Sequence, residues 1–339
     1  MLSNQIATSN IKMKTYQQLW QSLTPLYDAG EAQAIVRTVL DVKYGMTLTD
    51  IICGKVNEIS ADEERKLEEI IIRLQKGEPV QYVLGEADFA GRTFHVEPGV
   101  LIPRPETAEL CQWIEKDMIE KSIVSSGDSS EDSSGNSPQA TDDAKLILDI
   151  CTGSGCIAIT LGLNIPNSEV TGWDISEDAL RIAQGNVEML KARNVRIEYQ
   201  DALALPKAAE TDNEKMKVTA DKEVVKSKGE AKTPSTQKWD MIVSNPPYIC
   251  EKEKADMEKN VLEHEPSLAL FVPDENPLKF YRAIAEYASS ALKPEGALYF
   301  EINPIYEKET REMLLKLDFK DIETKEDAFG KKRMMRAIK

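Results

Sequence analysis

Asn245-Pro246-Pro247-Tyr248 brings an amide, two prolines and an aromatic ring together directly behind the apolar run Trp239-Asp240-Met241-Ile242-Val243-Ser244. The run reads as a buried strand. The prolines must stop it, because they lack N–H groups and fix φ. Each also pushes the residue before it toward extended geometry. The backbone carbonyls of Ser244, Asn245 and Pro246 are then left pointing out of a stiff turn at a strand's carboxyl end. Such a set suits the holding of a planar –NH2 group. Asn245 and the Pro246 carbonyl accept its two hydrogens while Tyr248 stacks on its π face, with Pro247 stiffening the turn. An ordinary proline-rich turn is the competing reading. Average composition puts this tetrapeptide in about one chain in a thousand of this length by accident.

A second constellation is Asp149-Ile150-Cys151-Thr152-Gly153-Ser154-Gly155-Cys156. Its glycines let a turn pass close to a ligand, and a helix starting behind it presents free N–H groups. Gly153 to Ala158 satisfies the loose G-x-G-x-x-[G/A] dinucleotide pattern, and Asp174 follows about 20 residues on, where a ribose-binding acid belongs. Several nucleoside cofactors use the same turn, and a tight helix entry is the bland alternative. Asp201-Ala202 closes a further strand and is placed to lie near an adenine. A dehydrogenase would need a proton relay beside its nicotinamide, and no His or Tyr-Lys pair offers one. Methyl transfer from S-adenosylmethionine to a planar nitrogen uses every part.

These residues need a scaffold that brings strand ends together. Leu146 to Ile150, Glu169 to Asp174, Val195 to Tyr199, the run before Asn245 and Ala297 to Ile302 read as strands. Helices are expected at 157–163, after the cap Ser176, at about 277–292 and from Pro304. Two further strands, at about 318–324 and 333–338, finish the chain. Repeated βα units predict a parallel, doubly wound α/β sheet with right-handed crossovers, which binds ligands at its carboxyl edge.

Residues 1–77 read as a small helical domain. Tyr16, Leu19, Trp20 and Leu23 share one face, as do Ala32, Ile35, Val36, Val39 and Leu40. Ser60-Ala61-Asp62-Glu63 is a capping box, and Gly77 is a stop. Residues 78–103, with Tyr82-Val83-Leu84 and then Phe89 and Phe94 around Gly91, are expected as a linker with a β-hairpin. Residues 104–339 form the catalytic domain, opened by a helix through Leu110, Trp113 and Ile114. Arg104 stands between Pro103 and Pro105 on an extended backbone, so its guanidinium is aimed with little entropy loss. A rigid inter-domain linker is the other reading of that stretch. Residues 122–143 and 207–238 are nearly devoid of apolar side chains and are expected as solvated, flexible inserts.

Composition narrows the function classes. The chain has 339 residues, 41% hydrophobic and 29% charged, enough for one large or two modest globular domains. No signal-like start and no apolar run near 18 residues is present, so a soluble, cytoplasmic protein without membrane contact is expected. Five cysteines form no CxxC pair and read as reduced, mostly buried thiols. Two histidines argue against a zinc site or a His-based triad, so no metal is expected. The net charge of −16 argues against a protein that grips duplex phosphates, and no stable nucleic-acid binding is expected.

Asp-x-x-Thr-Gly-x-Gly, the acid at Asp174 and Asn-Pro-Pro-Tyr resemble the class I amino-methyltransferases. Leu101-Ile102-Pro103-Arg104-Pro105-Glu106-Thr107, Glu265-Pro266-x-Leu268-Ala269-Leu270 and Gly77-Glu78-Pro79-x-x-Tyr82 narrow the resemblance to the release factor glutamine methyltransferases (HemK/PrmC). It runs from about residue 14 to the C-terminus, apart from the two inserts. The resemblance implies a class I S-adenosylmethionine-dependent methyltransferase fold with a mostly parallel seven-stranded sheet. It implies methylation of the Gln side-chain amide nitrogen in the Gly-Gly-Gln loop of bacterial peptide chain release factors, with a helical N-terminal domain that helps recognise that protein; a monomer is expected. Carried onto this chain, the cofactor falls to Cys151, Thr152, Gly153, Ser154, Gly155, Asp174, Asp201, Ala202 and Asn245. Catalysis falls to Asn245, Pro246, Pro247 and Tyr248, and substrate contact to Arg104 and Glu106. Three positions depart from the family pattern: Cys151 where Gly is common, Ala108 where an acid often follows Glu-Thr, and Asn303 where Gly often follows Glu-Ile. The competing enzymes are an adenine-N6 DNA or RNA methyltransferase, which would clamp a flipped base in the same way, and a ribosomal-protein glutamine methyltransferase. The competing non-enzyme is an inactive cofactor-binding scaffold.

Overall fold

The computed structural model describes residues 15–127, 144–206 and 238–339. It divides into two compact units, one of residues up to Glu86 with Glu258–His264, the other of Ala87–Met257 with Glu265–Lys339. Of the expected inserts, 128–143 and 207–237 lie outside the described residues, whereas residues 122–127 continue a helix.

The first unit holds α1 (Tyr16–Gln21), α2 (Ala29–Tyr44), α3 (Leu48–Ile52), α4 (Ala61–Leu74) and α5 (Val80–Leu84). Thr15, Thr47 and Ser60 start α1, α3 and α4 with capping boxes, and Gly45 closes α2 at φ 61°. Leu19, Leu23, Val36, Leu40, Leu67, Ile71 and Leu74 form its core. Tyr82-Val83-Leu84, expected in an extended linker, is instead the helical turn α5. Pro79 stands at its N-cap and Gly85 ends it at φ 79°, the asymmetry that frames a short helix. Arg73 donates to the carbonyls of Tyr82 and Val83 at 3.3 Å each, satisfying its last turn. Burial of Tyr82, Val83 and Leu84 overrides the β preference of Val and Tyr. The unit therefore runs past Gly77 to Glu86.

The second unit opens, from Ala87, within the hairpin of β1 (Glu86–Phe89) and β2 (Arg92–His95), whose turn residues Ala90 and Gly91 both have positive φ. There follow α6 (Pro105–Gly127), β3 (Lys145–Ile150), α7 (Cys156–Asn164), β4 (Ser168–Asp174), α8 (Glu177–Met189), β5 (Val195–Tyr199) and β6 (Trp239–Ser244). Next come β7 (Ile249–Cys250), α9 (Lys259–His264, part of the first unit), α10 (Ser267–Leu270) and β8 (Phe271–Val272), which pairs with β7. The chain ends with α11 (Lys279–Ala291), β9 (Leu292–Glu301), α12 (Glu307–Lys316), β10 (Lys320–Glu326) and β11 (Lys332–Ile338). The seven-stranded sheet has the order β10-β11-β9-β6-β3-β4-β5, and β11 runs antiparallel to both neighbours.

Strand alternation gives this sheet two apolar faces. Ile147, Met241, Val243 and Tyr299 join Leu110, Trp113, Ile157 and Leu161 on one side. Leu148, Ile150, Ile242 and Phe300 join Tyr281, Ile284, Ala288 and Leu314 on the other. Chain order reverses at β3: β4 and β5 lie to one side, β6 and β9 to the other. Register pairs Ile150 with both Trp173 and Ser244, so these strands end level. Ligand crevices of open α/β sheets form at such a reversal. Among the described residues no helix is long and apolar enough to cross a membrane. Cys111, Cys156 and Cys250 are buried thiols and Cys151 is half-buried, whereas Cys53 is exposed.

Candidate active site

Beyond β3 the chain turns through Cys151, Gly153 and Gly155 at φ 64°, 55° and 80°. Asp149, fully buried, braces this turn: its Oδ2 accepts from Thr152 Oγ1 at 2.6 Å and from the Ala158 N–H at 3.1 Å. Burial pushes the Asp149 carboxyl up to about 7, and its Oδ1 has no partner among the described residues. The Thr152 N–H donates to the Trp173 carbonyl at 2.9 Å, drawing the turn against β4. Gly172 makes that approach possible, since a Cβ there would stand 2.8 Å from Thr152 Oγ1. Gly155 is packed from behind, where a Cβ would meet Ile159 and Ala183 at 3.1 and 3.2 Å. Gly153 instead faces open space, with nothing within 4 Å of a Cβ position.

That open space is a cleft at the carboxyl edge, to which four strand ends deliver Gly153, Asp174, Asp201 and Asn245. Asp174 Oδ2 accepts from the Gly153 N–H and Oδ1 from the Ser176 N–H, each at 2.9 Å. Each carboxylate oxygen keeps a further lone pair, enough to receive ribose hydroxyls. Burial raises the Asp174 carboxyl, against the pull of those N–H groups. Asp201 Oδ1 accepts from the Leu203 N–H at 2.8 Å, fixing its own turn. Ser154 Oγ is buried beside the Cys156 thiol, with no conventional hydrogen-bond partner among the described residues. Ile175, Val100, Leu268 and Phe280 add apolar wall. A Cβ-free cradle, an acid at the second strand end and apolar sides fit a nucleoside carrying a cationic sulfonium.

Farther along the lining, at the end of β6, Asn245 Nδ2 donates to Thr107 Oγ1 at 3.2 Å, and Thr107 Oγ1 donates to Glu301 Oε2 at 2.6 Å. The Tyr248 hydroxyl donates to Glu301 Oε1 at 2.9 Å. Burial raises the Glu301 carboxyl, opposed by Thr107, Tyr248 and the charge of Arg333. Arg104 lines the cleft and is paired with Glu265, whose buried carboxylate also accepts from the Ile102 N–H at 3.2 Å.

Of the residues expected at the site, Arg104, Cys151, Thr152, Gly153, Ser154, Asp174, Asp201, Ala202, Asn245 and Pro247 line this one cleft. Gly155, Pro246, Tyr248 and Glu106 are not among its lining residues. Gly155 serves helix packing, and Tyr248 reaches Glu301. The sequence reading passed over Thr107, one step from Glu106, along with the strap Gly99-Val100-Leu101 and Gln200. It named Glu265 only as a residue more structural than catalytic, and it passed over the buried acid Glu301; both hold lining residues. Glu265 carried a signal in its own motif; Glu301 ended an identified strand, which marks it as near the carboxyl edge.

The chain matches the family model of the methyltransferase domain over residues 141–313 and that of the PrmC N-terminal domain over residues 24–85. It is 42% identical over 317 residues to a release factor glutamine methyltransferase from Bacteroides thetaiotaomicron, across 94% of this chain and 96% of that one. The chain belongs to the release factor glutamine methyltransferase family. Members from Flavobacterium psychrophilum and Bacillus subtilis are 35% and 33% identical, each across 96% of this chain and 98% of theirs.

The three departures from the family pattern have structural consequences here. Cys151 holds the left-handed backbone that glycine adopts freely. Ala108 packs against the core. Asn303 is buried; its Oδ1 accepts from the Ile305 N–H at 3.0 Å, and its Nδ2 donates to the Tyr248 carbonyl at 3.2 Å and to Glu253. A side chain at that position thus ties the exit of the Asn-Pro-Pro-Tyr turn to the end of β9.

Proposed function

We propose that this chain transfers a methyl group from S-adenosylmethionine to the side-chain amide nitrogen of the Gln in the Gly-Gly-Gln loop of peptide chain release factors. The observation that carries the chemistry is Asn245 lining the same cleft as Gly153 and Asp174, its Nδ2 engaged by Thr107 and its Oδ1 left to accept. The substrate is supported by the named activity of relatives that match 94% and 96% of this chain.

Bound against Gly153, Asp174 and Asp201, S-adenosylmethionine supplies an electrophilic methyl on a sulfonium. An amide nitrogen is a poor nucleophile because its lone pair is delocalised into the carbonyl. Asn245 Oδ1 and the Pro246 carbonyl accept its two N–H bonds, which draws electron density onto nitrogen and fixes its direction. Orientation is a large share of the acceleration, and fixed acceptors stabilise the positive charge that appears on nitrogen. No general base is required, since nitrogen loses its proton to solvent after the new bond forms. Tyr248 and Pro247 stiffen the turn, while Arg104, held by Glu265, contacts the substrate chain near its Gln.

The helical N-terminal unit serves recognition of the release factor, and the enzyme acts as a cytoplasmic monomer. The charge of −16 disfavours a nucleic-acid substrate. Labelled methyl transfer offered separately to a release factor, to the same factor with its Gly-Gly-Gln glutamine replaced by alanine, to ribosomal protein and to DNA tests the reading. Label is expected on the unmodified release factor alone; label on DNA or ribosomal protein instead would overturn it.

A further inference from the structure

Asn245 can receive an –NH2 group only if its amide presents oxygen to the cleft. Turning that amide over exchanges oxygen for nitrogen with almost no change of shape, so a second group must choose between them. Thr107 makes the choice locally. Its hydroxyl has one proton, donated to Glu301, so its oxygen can only accept from Asn245 Nδ2. An ionised carboxylate only accepts, which fixes the direction of the chain from its buried end. Glu301 is 2% exposed, and its other oxygen holds the Tyr248 hydroxyl. Both polar side chains of the Asn-Pro-Pro-Tyr turn therefore hang on one buried carboxylate, Tyr248 directly and Asn245 through a threonine.

We propose that Glu301 and Thr107 are positioning residues that set which end of the Asn245 amide meets the substrate nitrogen. This rests on the reading of Asn245 as the acceptor for that nitrogen. With Glu301 neutral the order can reverse: the acid donates to Thr107, Thr107 donates to Asn245 Oδ1, and Nδ2 turns to the cleft. Two donors then face each other and the substrate is repelled. Arg333, Thr107 and Tyr248 favour the ionised form of Glu301; burial and the charge of Glu106 oppose it. Tyr281 donates to the Glu301 backbone carbonyl at 3.2 Å and leaves the carboxylate to these partners.

The test compares Thr107→Val, Thr107→Ser, Glu301→Gln and Asn245→Ala in single-turnover methyl transfer to a release factor at saturating substrate. Cofactor affinity and melting temperature are measured on the same samples. Thr107→Val removes the hydroxyl at constant shape and is expected to slow transfer by about ten- to a hundred-fold, the range for losing a hydrogen bond linked to a charge. Thr107→Ser restores the hydroxyl without the methyl and is expected to recover most of that rate. A residue that merely fills space would give the opposite ranking. Native transfer should fall on the acid side at a pH above the ordinary carboxylate range, and Glu301→Gln should be slow at every pH without that limb. Should Thr107→Val fail to fold, Glu301→Gln decides: a native-like rate or a retained acid limb in that variant overturns the positioning roles. Native-like turnover in Thr107→Val and Glu301→Gln with a slow Asn245→Ala overturns the positioning roles alone. Native-like turnover in Asn245→Ala overturns the acceptor reading itself.

Discussion

On the Gly-rich side of the cleft, main-chain N–H groups are held by carboxylates and a carbonyl of one βαβ stretch, whereas Asn245 is held by a file of side chains from distant elements. Gly153 and Asp174, joined by a backbone N–H, stand 21 positions apart, and the Thr152 and Ala158 N–H groups find partners in the same βαβ stretch. Thr107 and Glu301, which hold Asn245, stand 194 positions apart. Several separate hydrogen bonds hold the Gly-rich side, so loss of one of them leaves the others in place. A wall made of a single file of hydrogen bonds fails when any member is lost. The cofactor wall should therefore lose affinity in steps, and the substrate wall should lose rate abruptly.

Asn245→Ala is the largest expected break. If Asn245 only ended β6, the change would cost stability and lower turnover through the folded fraction. As the acceptor for the target nitrogen, its loss should cut single-turnover methyl transfer by about 10² to 10³, the range for one preorganised partner in a transition state. Cofactor affinity should fall far less than turnover, because the Gly153 turn and Asp174 remain. Near-normal turnover in a well-folded variant would end the contrast between the walls.

Asp174→Ala strikes the cofactor wall. A charged acceptor for two hydroxyls contributes about 1.5–3 kcal/mol, or roughly ten- to a hundred-fold in affinity. The Gly153 and Ser176 N–H groups lose their partner in the same variant, so melting temperature should fall as well. Calorimetry with S-adenosylmethionine reads the first effect, and unchanged affinity would remove Asp174 from the site.

The same contrast decides what could be read from sequence. The glycines, Asp149 and Asp174 sit in one βαβ unit, where strand period, turn chemistry and spacing are local properties. Asn245 was legible because two prolines leave it few conformations. Thr107 and Glu301 were not, because nothing near either residue says that a threonine at the start of α6 meets the end of β9. The order of the sheet strands brings them together, and local pattern does not encode that order. The helical turn α5 was missed for a related reason: Val-Gln-Tyr-Val-Leu has strand-like composition, and burial against its neighbours decided its form.

Asp149→Asn sharpens the comparison through pH. Burial lifts the native carboxyl to about 7, above the range near 4 it has in an unfolded chain. The folded state then binds more protons than the unfolded state between those values, so this group's contribution is full below about pH 4 and lost as pH rises through 7. Asparagine carries no such dependence. The melting temperature of the variant relative to native, in the absence of cofactor, should therefore climb between about pH 4 and pH 7 and level off above. Parallel curves would show that Asp149 is ionised throughout.

The smallest expected effect is that of Cys151→Gly. Cys151 holds φ 64° in the turn after β3, a region that costs a residue with a Cβ about 1–2 kcal/mol. Glycine relieves that cost but adds about 0.5–1 kcal/mol of backbone entropy in the unfolded chain. The Cys151 side chain is half-buried against one face of the sheet, which offsets the gain further. The balance is an expected stabilisation of up to about 1 kcal/mol, read as a rise of about 2–4 °C at most in melting temperature. A clear fall would show that the thiol's packing outweighs the strained backbone. The Gly-rich side would then depend on the packing of its turn as well as on its separate hydrogen bonds, and the contrast with Asn245 would weaken at the residue where it is easiest to measure.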